Sequence, residues 1–233
     1  MSQDQVAMVV GVGGGLGAAL GRRFAAAGMK VALAARGDAI TGALAEEIQG
    51  SAYPVDVTVE AAVEALFDRL RGDLGEPDLV VFNAGAFQRT SVLEASAEDF
   101  ERCWRIGCLG GFLVGRAAAR GMAARGSGTI IFTGATAALR GGAGFINLAV
   151  GKFGLRALAQ SMARELGPRG VHIAHAVIDG QIDGPAHADR AADIAASALL
   201  DPLAIAETYY QIHLQDRTAW TQELDLRPAV EKF

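Results

Sequence analysis

The stretch Val6-Ala7-Met8-Val9-Val10-Gly11-Val12-Gly13-Gly14-Gly15-Leu16-Gly17 decides the fold of this chain. Its first five residues form a short apolar run suited to a strand buried on both faces. Beyond the glycines, Leu16, Ala19, Leu20, Phe24 and Ala27 share one face of an amphipathic helix that stops at Gly28. A strand, a glycine turn and a helix N-terminus make a cradle for phosphate. The backbone can approach an anion closely where no Cβ intervenes, and glycine supplies positive φ where the turn needs it. The unpaired N–H groups of the first helical turn then face the negative charge. A tight strand-to-helix turn without a ligand has the same glycine content, so the rest of the chain must choose between the two.

Working outward, strands and helices alternate. Val31 to Ala35 is a second apolar strand, followed by a helix over 40–48. A third strand over 52–55 carries Pro54, which suits a strand start or a sheet edge. Thr58 is placed to cap a helix whose buried stripe is Ala62, Val63, Leu66, Phe67 and Leu70. Leu79 to Phe82 is a fourth strand ending in the turn Asn83-Ala84-Gly85. Ser96 to Asp99 reads as a helix start, opening a long helix to about 124 in which Gly107, Gly111, Gly115 and Ala119 recur every four residues. Each glycine costs about 1 kcal/mol of helix propensity, which implies close approach of that face to a sheet, a cofactor or a partner helix. A strand over 129–133, a helix over 145–166, a strand over 171–177, a helix from Pro202 to His213 and a strand over 220–226 complete the pattern. The segment 180–200 has less sheet character and is the place for a small substrate lobe. Such alternation predicts one α/β domain over 1–233, a Rossmann-type doubly wound parallel sheet with helices on both faces.

Composition excludes several classes. The chain has 233 residues, 51% hydrophobic and 20% charged, with a net charge of −5. That balance gives no electrostatic footprint for nucleic acid. No apolar run reaches the roughly 18 residues that a membrane span needs, and the N-terminus lacks the pattern of a signal peptide, so a cytoplasmic protein is expected. Cys103 and Cys108 lack metal-ligand spacing and read as reduced apolar residues; no metal site is expected.

These landmarks together resemble the short-chain dehydrogenase/reductase family over essentially the whole chain. The family's Thr-Gly-x-x-x-Gly-x-Gly pattern is similar to Val10 to Gly17, with only the threonine replaced. Its Asn-Asn-Ala-Gly motif corresponds to Phe82-Asn83-Ala84-Gly85, and its aspartate after the third strand to Asp56. The resemblance implies a nicotinamide cofactor touched by Gly11, Gly14, Gly15, Leu16, Asp56, Val57, Asn83, Ala84 and Gly85. Relatives that prefer NAD end the second strand with an acid; here Ala35 and Arg36 stand there. An acid would repel a 2′-phosphate, whereas a guanidinium pairs with it, so NADP(H) is expected over NAD(H), unless Arg36 is simply a solvated strand end.

The catalytic half departs from the family. The family's lysine matches Lys152, but the tyrosine four residues earlier is Leu148, the serine thirteen before that is Ala135, and the helix asparagine is Gly107. The resemblance implies that Lys152 still bonds the nicotinamide ribose; an exposed lysine at a helix start is the alternative. The family's Pro-Gly becomes Asp179-Gly180, with Gly180 and Ile182 retaining the pattern that contacts nicotinamide. Asp179 is a candidate to orient a cationic substrate or act as an acid, or else a solvated loop residue. His172 and His175 read as packing residues in a strand. Two functions stand at this point: an oxidoreductase with an atypical active site acting on an activated C=O, C=N or C=C bond of a small molecule, or a non-catalytic NADP(H)-binding sensor or scaffold. The resemblance further implies a homodimer or homotetramer built on the long helix and the helix that carries Lys152.

Overall fold

The computed structural model describes residues 5–185 and 198–230. In chain order the principal elements begin with β1 (Val6–Val10), α1 (Leu16–Ala26), β2 (Lys30–Ala35), α2 (Ala39–Ile48), β3 (Ser51–Pro54), α3 (Glu60–Asp73) and β4 (Leu79–Phe82). Next come α4 (Ala97–Trp104), a π-helical turn (Arg105–Leu109), α5 (Gly110–Arg125), β5 (Gly128–Thr133), α6 (Ile146–Leu166) and β6 (Val171–Ile178). The last are β7 (Gln181–Ile182), β8 (Leu199–Leu200), α7 (Pro202–His213) and β9 (Glu223–Leu226). Seven strands form one sheet in the order β3-β2-β1-β4-β5-β6-β9, and every pairing is parallel.

Strand alternation divides the core into two apolar layers. Met8, Val80, Phe82, Ile130 and Phe132 point to one face, where α3, α5 and α6 add Phe67, Val114, Met122 and Leu155. Val9, Leu33, Val81 and Ile131 point to the other, where Leu20, Phe24 and Tyr209 cover them from α1 and α7. Each such large side chain removed from water contributes about 1.5–3 kcal/mol, so the two layers hold the helices against the sheet. The small residues of α5 allow this. A Cβ on Gly111 would stand 2.3 Å from Leu155 Cδ1, and one on Gly115 would stand 2.9 Å from Phe132 Cζ. The glycine repeat therefore serves close packing on the sheet and on α6.

Local details differ from the sequence reading. The long helix is interrupted by the π-helical turn around Gly107, which divides it into α4 and α5. Thr58 does not cap α3: its hydroxyl and N–H both donate to Asp56 Oδ1, at 2.8 and 2.9 Å, and Val59 occupies the cap position without a side-chain bond. The helix starts one residue too late for Thr58 to cap it, and Thr58 instead closes the turn at Asp56. Ser96 does cap α4, accepting from the Asp99 N–H at 3.0 Å. The last strand is shorter than expected, beginning at Glu223. Pro54 lies on β3, an edge strand, as its missing N–H requires. Of the expected substrate lobe, 181–182 and 199–200 form a small separate parallel pair, and 186–197 lie outside the described residues.

Candidate active site

The strand order reverses between β1 and β4, and open α/β sheets bind ligands at such a switch point, outside the carboxyl ends of the strands. Gly11 makes the reversal compact. Its φ is +93°, and a Cβ there would stand 2.3 Å from the Ala84 backbone nitrogen. The Asn83 N–H donates to the Val10 carbonyl at 2.8 Å, and Asn83 Nδ2 donates to the Gly11 carbonyl at 2.9 Å. Within the turn the positive φ falls on Gly11, alone among residues 11–17. Gly17 is required for another reason, since a Cβ would stand 2.8 Å from Val12 Cα where α1 packs on the turn.

A cavity of about 450 Å³ opens at this point. Its walls include Gly11, Gly13, Arg36, Asp56, Val57, Asn83, Ala84 and Gly85, with Ile106 of the π-helical turn at the side. Gly13 borders open space, with nothing within 4 Å of a Cβ position. The Asp56 carboxyl is held below its usual range chiefly by the Thr58 N–H and hydroxyl, with smaller help from the charges of Arg36 and Arg105. Gly14 and Gly15 are placed differently from Gly13: Pro185 Cγ lies 3.2 Å from a Gly14 Cβ position, and the Asp183 carbonyl 3.9 Å from that of Gly15. The segment Asp183-Gly184-Pro185 thus lies over Gly14 and Gly15, next to Leu16, the first residue of α1.

Lys152 sits beyond the Gly85 end of the cavity. Its Nζ is 3.8 Å from a Gly85 Cβ position and donates to the Thr133 carbonyl at 2.6 Å. The exposed-lysine alternative is overturned, because the side chain is buried, 7% exposed. Burial disfavours its charged form and brings the pKa down to about 8. Tyr209 supports the same spot from α7, its hydroxyl donating to Thr133 Oγ1 at 3.1 Å. Leu148 is one helical turn before Lys152 on α6, and Ala135 follows β5. Gly107 is buried with nothing within 4 Å of a Cβ position, so the π-helical turn leaves space there.

Asp179 follows β6 directly and precedes Gly180, and it too is buried, which overturns the solvated-loop alternative. Its carboxylate accepts from the Thr136 hydroxyl and pairs with Arg227 at 3.3 Å. Both oxygens are engaged with the protein. His172 packs as expected, its ring stacked on Trp220 with centroids 4.7 Å apart. His175 does more than pack. Its Nδ1 lies 3.2 Å from Glu223, which in turn binds Arg156 of α6 through two bonds of 2.6 and 2.7 Å. Sequence reading missed this cluster; the one available signal was two acids, Glu223 and Asp225, in a strand paired with another that holds two histidines. Cys103 and Cys108 are both free, and among the described residues no group of His, Cys, Asp and Glu could hold a metal ion.

Comparison with known proteins agrees with this geometry. The family model for short chain dehydrogenase matches residues 5–194. The chain belongs to the short-chain dehydrogenase/reductase family. A short-chain dehydrogenase/reductase of Armillaria gallica is 33% identical over 193 residues, 79% of this chain and 74% of that protein. The 3-oxoacyl-(acyl-carrier-protein) reductase of Escherichia coli is 28% identical over 173 residues, 73% of this chain and 71% of that one. Among solved structures, a short-chain dehydrogenase from Rhodopseudomonas palustris superposes with a TM-score of 0.84 at 36% identity, covering 97% of this chain and 99% of that chain. Membership in the short-chain dehydrogenase/reductase family makes the chain an oxidoreductase type that uses a nicotinamide cofactor and a small-molecule substrate. No helix among the described residues is long and apolar enough to cross a membrane.

Proposed function

We propose that the chain is an NADP(H)-dependent oxidoreductase acting on an activated C=O, C=N or C=C bond, with a proton donor other than the family's tyrosine. The observation that carries this reading is the cavity itself, with Arg36 in its wall and the buried Lys152 ammonium beyond Gly85. The residues present fit a dinucleotide: Gly13 leaves room beside the turn, and the walls combine small residues with a few polar groups. Arg36 would hold a 2′-phosphate, Asp56 and Val57 the adenine, and Asn83, Ala84 and Gly85 the neighbouring ribose. Gly11 shapes the turn, while Gly14, Gly15 and Leu16 would offer N–H groups to the pyrophosphate, which requires Asp183 to Pro185 to shift off them. Lys152 would bond the nicotinamide ribose, with Gly180 and Ile182 against the nicotinamide. When bound, that cofactor supplies or accepts a hydride.

The chemistry of the chain's own side chains sets the substrate class. Leucine and alanine at 148 and 135 neither protonate a carbonyl oxygen nor bond to it, and general acid catalysis of that kind is worth about 10² to 10⁴ in rate. A substrate that is already polarised needs less of that help. Lys152 holds a proton close to the site, whereas Asp179, held by Thr136 and Arg227, would orient a cationic substrate such as an iminium ion only by giving up its pairing with Arg227. Leu148, Ala135 and Gly107 equally favour a second reading, a non-catalytic NADP(H) sensor. Turnover over a panel of ketones, iminium ions and enones separates the two, run beside the Ala135→Ser, Leu148→Tyr double variant. Reduction of iminium ions or enones by the parent, with simple ketones near background until the double variant restores them weakly, is expected. Fast reduction of simple ketones by the parent overturns the altered-donor reading, and no turnover of any substrate, with cofactor bound, supports the sensor.

A further inference from the structure

The residue after Ala135 and the residue before Gly180 are bonded to each other. Thr136 opens a short 3₁₀ turn (Thr136–Ala138) beyond the end of β5, and Asp179 follows β6. The Thr136 hydroxyl donates to Asp179 Oδ1, while Arg227 reaches Asp179 Oδ2 at 3.3 Å. Backbone bonds fix both ends. The Thr136 carbonyl accepts from the Leu139 N–H at 2.9 Å, and the Asp179 N–H donates to the Leu226 carbonyl at 2.8 Å. Asp179 is buried and Thr136 half-buried. The hydroxyl thus stands beside the place of the family's serine and beside the Gly180 segment expected against the nicotinamide.

Donor and acceptor capacities decide what this hydroxyl can offer. A carboxylate only accepts, so the single hydroxyl hydrogen of Thr136 is committed to Asp179. The lone pairs of Oγ1 remain, and among the described residues no group donates to them. Behind the hydroxyl, Asp179 and Asp225 share the guanidinium of Arg227, and two carboxylates with one guanidinium leave one net negative charge. A ketone or enone brings an oxygen to Thr136, lone pairs against lone pairs. A protonated imine brings an N–H donor and a positive charge, and both are matched.

We propose that Thr136 is a specificity-determining residue, with Asp179 its positioning residue, and that together they select a protonated imine bearing an N–H bond. Thr136 Oγ1 accepts that N–H while Asp179 keeps Arg227, so the cation is met without breaking the ion pair. Hydride from the reduced cofactor forms a C–H bond at the imine carbon, and the C=N π pair moves to nitrogen as a lone pair. The cofactor is oxidised, and the iminium is reduced to a neutral amine that retains its N–H. The proton has come with the substrate, taken from water before binding, so none leaves the protein. Leucine at 148 and alanine at 135 then withhold nothing that the reaction needs. The inference rests on reading the cavity as an NADP(H) site, and it narrows the substrate from three bond types to one.

Two probes of equal charge test it: protonated 2-methyl-1-pyrroline and 1,2-dimethyl-1-pyrrolinium, whose nitrogens carry a hydrogen and a methyl group respectively. Turnover with NADPH is followed below the pKa of the pyrroline. The wild type should prefer the N–H probe. Thr136→Val should lower kcat/KM for that probe about ten- to a hundredfold, the value of a hydrogen bond to a charged donor, and change the N-methyl probe little. Valine keeps the shape of threonine, so a preference caused by the bulk of the methyl group would survive the change. Thr136→Ser should retain the preference. In Asp179→Asn the amide oxygen turns to Arg227 and the NH2 to Thr136, which releases the hydroxyl hydrogen, and the preference should collapse. Equal kcat/KM for the two probes in the wild type, or an unchanged preference in both Thr136→Val and Asp179→Asn, overturns the proposal. An NADPH titration separates the remaining failures: a chain that binds NADPH and reduces neither probe overturns the proposal alone, and a chain that does not bind it overturns the cofactor reading as well.

Discussion

Gly11→Ala tests the geometry on which the site depends. Gly11 has φ of +93°, and the new Cβ would stand 2.3 Å from the Ala84 nitrogen, 2.5 Å from its Cα and 2.7 Å from the Asn83 carbonyl carbon. All three are backbone atoms of the neighbouring strand end, so no side chain can turn aside. The left-handed conformation costs alanine about 1–2 kcal/mol, and overpacking adds about 1–3 kcal/mol, giving a total of about 2–5 kcal/mol. For a domain of this size that is a fall in Tm of roughly 4–20 °C. Calorimetry or thermal circular dichroism measures it. Gly13→Ala is the matched control: it meets nothing within 4 Å, and its effect on stability should stay within about 0.5 kcal/mol. An unchanged Tm for Gly11→Ala would refute the close approach of β1 to the Asn83-Ala84 turn.

Arg36→Ala should weaken NADPH about tenfold or more and NADH little, because only NADPH carries the charge that the guanidinium meets; equal losses in a fluorescence titration would move Arg36 away from the 2′-phosphate. Lys152 has its pKa lowered from 10.5 to about 8, so between those values the unfolded chain binds more protons than the folded one and stability contributed by this group rises with pH. Urea denaturation at pH 7 and pH 10.5 should therefore show the wild type gaining about 3 kcal/mol relative to Lys152→Met over that interval; a constant difference would mean that the ammonium is not buried. Phe112 of α5 and Val150 and Phe153 of α6 are partly exposed apolar residues on the two helices expected to assemble, so sedimentation at micromolar concentration should show a dimer or tetramer, and a monomer would contradict that expectation.

The fold was legible in the sequence because its signals are local and repeated. Val6 to Val10 followed by glycines and the Leu16 stripe announces a βα unit on its own, and the later strands repeat the pattern. Asn83-Ala84-Gly85 was legible as a turn, and the structure adds that it meets Gly11 across the switch point. What could not be read depends on partners distant in sequence. The fate of Thr58 turns on the helix starting at Glu60, one residue later than the cap would need, and the burial of Lys152 depends on the ends of β4 and β5 closing over it. Asp179 looks solvated until Arg227, from beyond the last strand, is folded against it. His175 and Glu223 are separated by forty-eight positions, and only the β6–β9 register brings them together.

The most direct test of the account is titration of the purified chain with NADPH and NADH, following nicotinamide fluorescence, for the wild type and for Gly13→Ala. The account predicts saturable binding of one cofactor per chain, tighter for NADPH, and a loss of affinity in Gly13→Ala at unchanged Tm, since the added methyl group enters the cavity and touches nothing in the protein. Absence of saturable binding to the wild type, or identical affinity in a Gly13→Ala variant of unchanged stability, would contradict it.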